Sequence, residues 1–160
     1  MSRLDAFYCD NMLGRLAKWL RLLGYDTAYK NEIDDWELLS ACRREGRVLL
    51  TCDSGIVKRW QVRRGWVKAV LLKSNGTEEQ LRELATALGL APAGGARCSV
   101  CNLRLETLPR TDARNMVPLY VYETQADFHT CTGCRRVYWK ATHWREIEKM
   151  RSVLTPLGQP

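Results

Sequence analysis

Short apolar runs alternate with amphipathic stretches along the first part of the chain. We predict β-strands where the runs are short and continuously apolar, at residues 4–9, 27–29, 48–51 and 67–72. We predict α-helices where apolar side chains recur at helical spacing, at residues 12–23, 35–44, 54–62 and 77–88. Alternating strands and helices are typical of a mostly parallel sheet flanked by helices, so we predict an α/β fold.

Local signals agree with these helix boundaries. Gly24 and Gly46 follow the first two predicted helices, and glycine is the residue that most often ends a helix. Residues 77–80 (TEEQ) match a capping box, which predicts that Thr77 caps the helix of residues 77–88.

A change in composition divides the chain. Residues 89–96 (GLAPAGGA) are rich in Gly, Ala and Pro and predict a linker. Beyond it, residues 117–122 and 137–139 have the composition of strands. We expect residues 155–160 to form a frayed end.

Four cysteines form two Cys-x-x-Cys pairs, Cys98/Cys101 and Cys131/Cys134. Each short loop can deliver two thiolates to one tetrahedral metal, so this spacing predicts a structural zinc site. His129 is the substitute ligand if one cysteine is not used. A redox dithiol and a pair of disulfides are the alternative readings of the same spacing.

Composition narrows the class of protein. The chain has 160 residues, enough for one compact domain and a small module, and no apolar run of membrane-spanning length. Its N-terminus lacks the pattern of a secretory signal, and its seven cysteines are an odd number. We therefore expect reduced thiols and a cytoplasmic location. The net charge of +7 favours an anionic partner such as nucleic acid.

Aspartates follow two of the predicted strands. Asp10 and Asp53 each end an apolar run and precede a helix, and Asp34, Asp35 and Glu37 surround the start of the helix between them. Neighbouring parallel strands would bring such carboxylates to one edge of the sheet, where Mg²⁺ or Mn²⁺ could bind. Aspartate is also a preferred helix N-cap, and the spacing alone leaves both interpretations open.

Ten segments in a fixed order carry more information than any single motif. In the first half they are residues 7–26 (FYCDNMLGRLAKWLRLLGYD), 35–39 (DWELL), 46–53 (GRVLLTCD) and 79–81 (EQL). In the second half they are residues 97–102 (RCSVCN), 117–122 (VPLYVY), 128, 131–134 (CTGC), 137–140 (VYWK) and 142–144 (THW). Together these segments resemble the mut-seven carboxy-terminal RNase family.

The resemblance implies a PIN-like nuclease domain at residues 1–91 and a zinc ribbon at residues 96–150. It implies a metal-dependent ribonuclease that hydrolyses phosphodiester bonds with clustered acids. The catalytic residues would be Asp10, Asp35, Glu37 and Asp53. Asp10, Asp35 and Asp53 would hold Mg²⁺ or Mn²⁺, while Zn²⁺ at the four cysteines would stabilise the ribbon or assist RNA binding.

Basic residues near aromatic ones are the candidate RNA contacts. We expect single-stranded RNA to bind by charge and stacking, and no membrane partner. The candidates are Arg15, Lys18, Arg21, Arg135, Arg136, Lys140 and His143.

Two positions depart from the family pattern. Cys52 stands where the family's Thr-Arg-Asp triplet has arginine, and Ala141 replaces a glycine. A thiol cannot supply the charge or the fork geometry of a guanidinium. A catalytically weak or inactive RNA-binding or adaptor protein is therefore the alternative function, and a dithiol oxidoreductase is a third hypothesis.

Overall fold

A four-stranded parallel sheet forms the centre of the first part of the chain. The computed structural model describes residues 6–140 and 143–155. The strands lie in the order β2-β1-β3-β4, with every neighbouring pair parallel. Their bounds are β1 (Ala6–Cys9), β2 (Asp26–Tyr29), β3 (Val48–Thr51) and β4 (Ala69–Leu71). The predicted α/β fold with flanking helices is confirmed.

Helices cover both faces of this sheet because alternate strand residues point to opposite sides. Phe7 contributes to one apolar cluster and Tyr8 to the other. The first cluster includes side chains of the helices at Gly14–Leu22 and Thr77–Leu88, and the second includes side chains of the helices at Asp35–Glu45 and Ser54–Val57. The helices, after a 3₁₀ turn at Asn11–Leu13, are α1 (Gly14–Leu22), α2 (Asp35–Glu45), α3 (Ser54–Val57), α4 (Trp60–Arg63) and α5 (Thr77–Leu88).

Two local predictions were wrong. The single helix expected at residues 54–62 is two short helices, because Arg59 is extended (ψ 146°) and turns the chain towards α2. The capping box does not form either. Gly76 takes the N-cap position of α5, without a side-chain cap.

The C-terminal part contains a three-stranded antiparallel sheet in the order β5-β6-β7. Its elements are β5 (Glu106–Leu108), α6 (Arg110–Ala113), α7 (Leu119–Thr124), β6 (Phe128–Thr130), β7 (Val137–Trp139) and α8 (His143–Val153). The strand predicted at residues 137–139 is confirmed.

The strand predicted at residues 117–122 was wrong, since α7 forms there. Pro118 caps this helix with its φ at −58°, and its carbonyl accepts hydrogen bonds from the N–H groups of Val121 and Tyr122. Val121 is then buried in a small core with Phe128, against which the Tyr122 ring stacks. The proline ring fixes φ near this value, which suits the start of a helix, and tertiary packing outweighs the strand preference of the β-branched and aromatic residues.

The last helix, α8, packs against the first part of the chain. Leu154 is buried in the cluster that contains Leu81 and Leu84 of α5. The Lys149 ammonium also lies 2.8 Å from a carboxylate oxygen of Glu78. Of the frayed end predicted at residues 155–160, only Thr155 lies within the described residues. Within 6–140 and 143–155, no helix has the length and hydropathy needed to cross a bilayer.

Polar side chains join the first cysteine loop to the parallel sheet. Arg21 of α1 is 7 % exposed and donates hydrogen bonds to the carbonyls of Thr27 (2.8 Å), Ser99 (2.9 Å) and Val100 (3.1 Å). Asn102 accepts a hydrogen bond from the Thr27 N–H (3.0 Å) and donates one to Asp26 (2.7 Å). The loop therefore covers the otherwise unpaired edge of β2.

Replacing Arg21 with methionine should destabilise the whole chain. The Arg21→Met protein keeps the apolar stem but leaves buried carbonyls without a donor, so the free energy of unfolding should fall by about 3 kcal/mol. Lys18→Met, at an exposed position on the same helix, should change it by less than about 0.5 kcal/mol. Urea unfolding measures both, and equal stabilities would contradict the structural role of Arg21.

Candidate active site and cysteine cluster

Asp10 and Asp53 lie at the same edge of the parallel sheet, joined by one hydroxyl group. The fully buried Thr51 side chain donates a hydrogen bond to Oδ2 of Asp10 (2.7 Å). The same hydroxyl accepts a hydrogen bond from the Asp53 N–H (3.0 Å). Both aspartates are therefore tied to the end of β3.

Parallel pairing explains why the two aspartates meet. Cys9 pairs with Leu50, and the Asp10 N–H continues the ladder to the Leu50 carbonyl at 2.9 Å. Each aspartate also caps the helical turn that follows it. Asp10 accepts from the Asn11 N–H and Asp53 from the Gly55 N–H, both at 2.6 Å. The same two aspartates therefore cap helical turns and lie together at one edge of the sheet.

The helical acids lie at the start of α2 and have different partners. Asp34 is the N-cap and accepts a hydrogen bond from the Glu37 N–H (2.8 Å). Asp35 forms an ion pair with Arg59 (3.2 Å), and Glu37 forms one with Lys30 (2.9 Å). All four of these paired side chains are about half exposed, so the pairs are weak and exchangeable.

The carboxylates are not gathered as tightly as the cysteines. Among residues 6–140 and 143–155, the only set of three or more potential metal ligands within 4.8 Å of one another is the four cysteines. The structure thus brings Asp10 and Asp53 together through Thr51, while Asp35 and Glu37 stand apart with their basic partners.

Cys52 lies between the two aspartates in sequence and beside Gln80 in space. Its sulfur is 3.9 Å from the Gln80 amide nitrogen, at the start of α5. Burial, together with the charges of Glu83 and Asp10, raises the pKa of the Cys52 thiol. The side chain is therefore neutral near pH 7 and supplies no positive charge at this position.

The cysteine cluster fits a tetrahedral metal. Its members are Cys98, Cys101, Cys131 and Cys134, whose sulfurs all lie within 4.8 Å of one another. The Sγ atoms of Cys98 and Cys134 are 3.6 Å apart. Thiolates bound at about 2.3 Å around a tetrahedral ion would lie about 3.8 Å apart, close to this value. The cluster could therefore hold a structural metal such as zinc.

Protonation within the cluster supports this interpretation. Burial opposes the thiolate of Cys98, but hydrogen bonds from Tyr138 and from the backbone N–H groups of Cys101 and Val100 lower its pKa to about 6. A hydrogen bond with Cys134, with burial and the charge of Cys98, raises the pKa of Cys101 to about 12. Deprotonating all four thiols is therefore unfavourable unless a bound cation offsets the negative charge of the thiolates.

The predicted RNA contacts differ in exposure. Arg21 is buried and its guanidinium donates to backbone carbonyls, so it is not placed to contact RNA. The His143 side chain lies outside the described residues. The exposed candidates are Arg15, Lys18, Arg135, Arg136 and Lys140.

Sequence reasoning missed the contribution of Thr51 and of Tyr138. Thr51 is the last residue of an apolar strand, two positions before an acid, and a hydroxyl there is the signal that could have identified it. Tyr138 donates or shares hydrogen bonds with the Cys98 sulfur (3.1 Å) and the Ser99 hydroxyl (3.2 Å). Only the tertiary structure, which places Tyr138 of β7 beside the first cysteine loop, reveals that contact.

Removing the Thr51 hydroxyl should loosen the link between the two aspartates. In Thr51→Val the Asp53 N–H loses its acceptor, at a cost of roughly 1–3 kcal/mol to local stability. Amide hydrogen exchange of Asp53 should therefore become at least about fivefold faster, whereas Thr51→Ser should keep it slow. Equal protection in the valine and serine variants would show that the hydroxyl does not hold Asp53.

Comparison with known proteins gives one match. The family model described as the Mut7-C RNAse domain matches residues 5–151, which is nearly the whole chain. No curated protein and no solved structure matches. The match confirms the resemblance found in the sequence and indicates a nuclease-type function. The chain belongs to the Mut7-C RNAse domain family.

Proposed function

We propose that this protein is a metal-dependent ribonuclease whose Asp10 and Asp53 hold Mg²⁺ or Mn²⁺ at the edge of the parallel sheet. One observation carries the proposal: the Thr51 hydroxyl ties the two aspartates to adjoining strand ends. Membership in an RNase-domain family supports phosphodiester hydrolysis as the reaction and RNA as the substrate. Asp35 and Glu37 are the further candidate acids.

The donor set at this edge suits a hard cation. Asp10 uses each carboxylate oxygen in one hydrogen bond, and a carboxylate oxygen can accept two. Asp53 uses Oδ1 for the Gly55 N–H, while its Oδ2 has no hydrogen-bond partner in the described part of the chain. Lone pairs on both aspartates thus remain for an ion, and Mg²⁺ and Mn²⁺ prefer oxygen ligands.

The chain's own residues would position the reacting groups. A bound divalent ion would lower the pKa of a coordinated water molecule and would offset negative charge on the phosphate. Asp10 and Asp53, held by caps and by Thr51, keep their carboxylates oriented without reorganisation. Asp35 can leave its exposed ion pair with Arg59 to accept a proton or contact the ion. Arg59 would then be available to bind a phosphate.

We propose zinc as the metal of the cysteine cluster and stabilisation as its contribution. The first cysteine loop carries the acceptors of Arg21 and the Asn102 side chain that covers β2. A metal that fixes this loop therefore also stabilises the edge of the parallel sheet. We propose that residues 1–91 form the nuclease domain and residues 96–150 the zinc ribbon.

The alternative is an RNA-binding or adaptor protein with weak or absent catalysis. Its supporting observation is Cys52, a neutral thiol where the family pattern has arginine. Without that guanidinium, charge that builds on the phosphate during hydrolysis has one stabilising group fewer. Cleavage assays separate the two functions.

Conversion of either aspartate to asparagine should abolish cleavage. With purified protein, single-stranded RNA and Mn²⁺, Asp10→Asn and Asp53→Asn should each lower the cleavage rate at least about 100-fold, because a metal ligand loses its charge. Asp127→Asn removes an exposed acid in the C-terminal part and should leave the rate unchanged.

Two results would argue against this assignment. Unchanged cleavage by both asparagine variants would remove the proposed site. Binding of RNA by the parent protein, without cleavage under any divalent ion, would favour the adaptor function.

Metal analysis should find about one zinc per chain, as one four-cysteine site requires. Cys98→Ser should lose the metal, and its thermal unfolding midpoint should fall because metal binding is coupled to folding. Cys42→Ser, at a buried cysteine outside the cluster, should keep the zinc content of the parent. A purified protein that holds no metal and melts like its Cys98→Ser variant would contradict the zinc assignment.

A further inference from the structure

A groove lined by tryptophans and arginines runs between α2 and α4. It encloses about 400 Å³, and the residues that matter here are Trp36, Arg43, Arg44, Trp60 and Gln61. We call these five residues the tryptophan groove. It lies on the sheet face that α2 covers. It does not include the exposed RNA candidates named earlier, which are Arg15, Lys18, Arg135, Arg136 and Lys140.

Indole rings are unusually exposed in this groove. Trp36 is 68 % exposed although it lies on the same helical stripe as buried Leu39. Trp60 is about half exposed and packs edge-to-face on Trp66, with ring centroids 4.7 Å apart. Large aromatic side chains usually bury most of their surface, so flat faces left open to solvent suggest a ligand with flat apolar faces of its own.

Trp60 is held in place before any ligand arrives. The Arg43 guanidinium lies 3.8 Å from the centroid of the Trp66 ring, which in turn packs against Trp60. This packing lowers the conformational entropy that the Trp60 side chain would lose on binding. The α4 side of the groove is thus a pre-positioned stacking platform.

Positive charge surrounds the platform. Arg43 and Arg44 occupy the last turn of α2, and Arg59 and Arg63 lie at either end of α4. Within residues 6–140 and 143–155, Arg44 and Arg59 pair with exposed carboxylates, in contacts that an incoming phosphate can replace. Flat apolar faces between arginines match the alternating bases and phosphates of a single strand better than an apolar peptide.

One end of the groove lies beside Asp35, a candidate acid of the proposed active site. Trp36 follows Asp35 in the first turn of α2, and Arg59 links Asp35 to the start of α4. Asp53 begins the segment that leads through α3 into α4. From Trp36 to Arg44 the helix rises about 12 Å, the length of roughly three stacked nucleotides. A single strand in the groove would therefore lie with one end beside Asp35.

Gln61 adds a polar feature to the apolar platform. It lines the groove, is only 8 % exposed, and its Oε1 has no hydrogen-bond partner among the described residues. A buried acceptor without a partner is costly. If the amide turned towards the groove, it would accept a hydrogen bond from the amino group of a bound base.

We propose that the tryptophan groove binds single-stranded RNA by stacking bases on Trp36 and Trp60, with Arg43 and Arg44 contacting phosphates. This inference rests on the proposed ribonuclease function, for which it supplies the path of the substrate. It makes the enzyme selective for unpaired RNA, because bases within a duplex cannot reach the rings.

Binding of a fluorescent oligoadenylate tests the groove without cleavage. All variants carry Asp10→Asn and Asp53→Asn, so that the RNA remains intact. Trp36→Ala and Trp60→Ala should each weaken binding about tenfold, from the loss of one stacked base. Arg43→Ala should weaken it as well, with a reduced dependence of affinity on salt.

Matched controls lie in the C-terminal part of the chain. Tyr120 is 69 % exposed, so Tyr120→Ala removes an aromatic side chain of similar exposure to Trp36. Arg114→Ala removes an exposed arginine outside the groove. Both controls should bind like the parent, and a duplex of the same length should bind weakly to every variant.

Each other outcome has a distinct meaning. If the groove variants bind RNA like the Asp10→Asn/Asp53→Asn protein while the unsubstituted protein cleaves RNA, the groove proposal is overturned and the ribonuclease stands. If Trp36→Ala disrupts self-association and leaves RNA affinity unchanged, the groove is an interface between copies and the groove proposal is overturned. If the Asp10→Asn/Asp53→Asn protein does not bind RNA and the unsubstituted protein does not cleave it, both proposals fail.

Discussion

The Thr51 hydroxyl connects the two segments that form the candidate site, the end of β1 and the end of β3. It is fully buried, donates to Asp10 and accepts from the backbone of Asp53. A buried hydroxyl must satisfy its hydrogen bonds, so these contacts fix the relative position of β1, β3 and the turns that follow them. In the metal site that we propose, the carboxylates are therefore oriented before an ion binds, so little conformational entropy would be lost on binding.

A second set of buried polar contacts ties the cysteine cluster to the same sheet. Arg21 and Asn102 connect the first cysteine loop to β2, the strand next to β1. On the sheet face that α1 and α5 cover, Leu154 and the Lys149–Glu78 pair bring the C-terminal helix onto α5. The C-terminal part thus contacts the first part of the chain at two places. We expect its metal to influence the stability of both parts, which a freely linked module would not do.

The sequence predicted those features that depend on local pattern or short spacing. The strand before Asp53 and the two Cys-x-x-Cys loops are of this kind, because a short continuous apolar run and close ligand spacing leave few alternatives. Residues 117–122 were assigned to a strand because of their valines and tyrosines, but Pro118 and the small core around Phe128 favour a helix. Arg21 lies among basic surface residues in the sequence, and only its tertiary contacts show that it is buried. The exposure of Trp36 likewise depends on where α4 packs, which periodicity does not reveal.

We propose that a metal at the four cysteines stabilises one edge of the sheet, that the sheet positions two aspartates for a divalent ion, and that the tryptophan groove binds a single strand. The central claim is that Asp10 and Asp53 share a divalent ion. Crystals grown with Mn²⁺ test it directly through anomalous diffraction. We predict an anomalous peak with carboxylate oxygens of both aspartates at about 2.2 Å, close to the distance for Mg²⁺. Manganese bound elsewhere, with both carboxylates contacting only protein and water, would contradict the account.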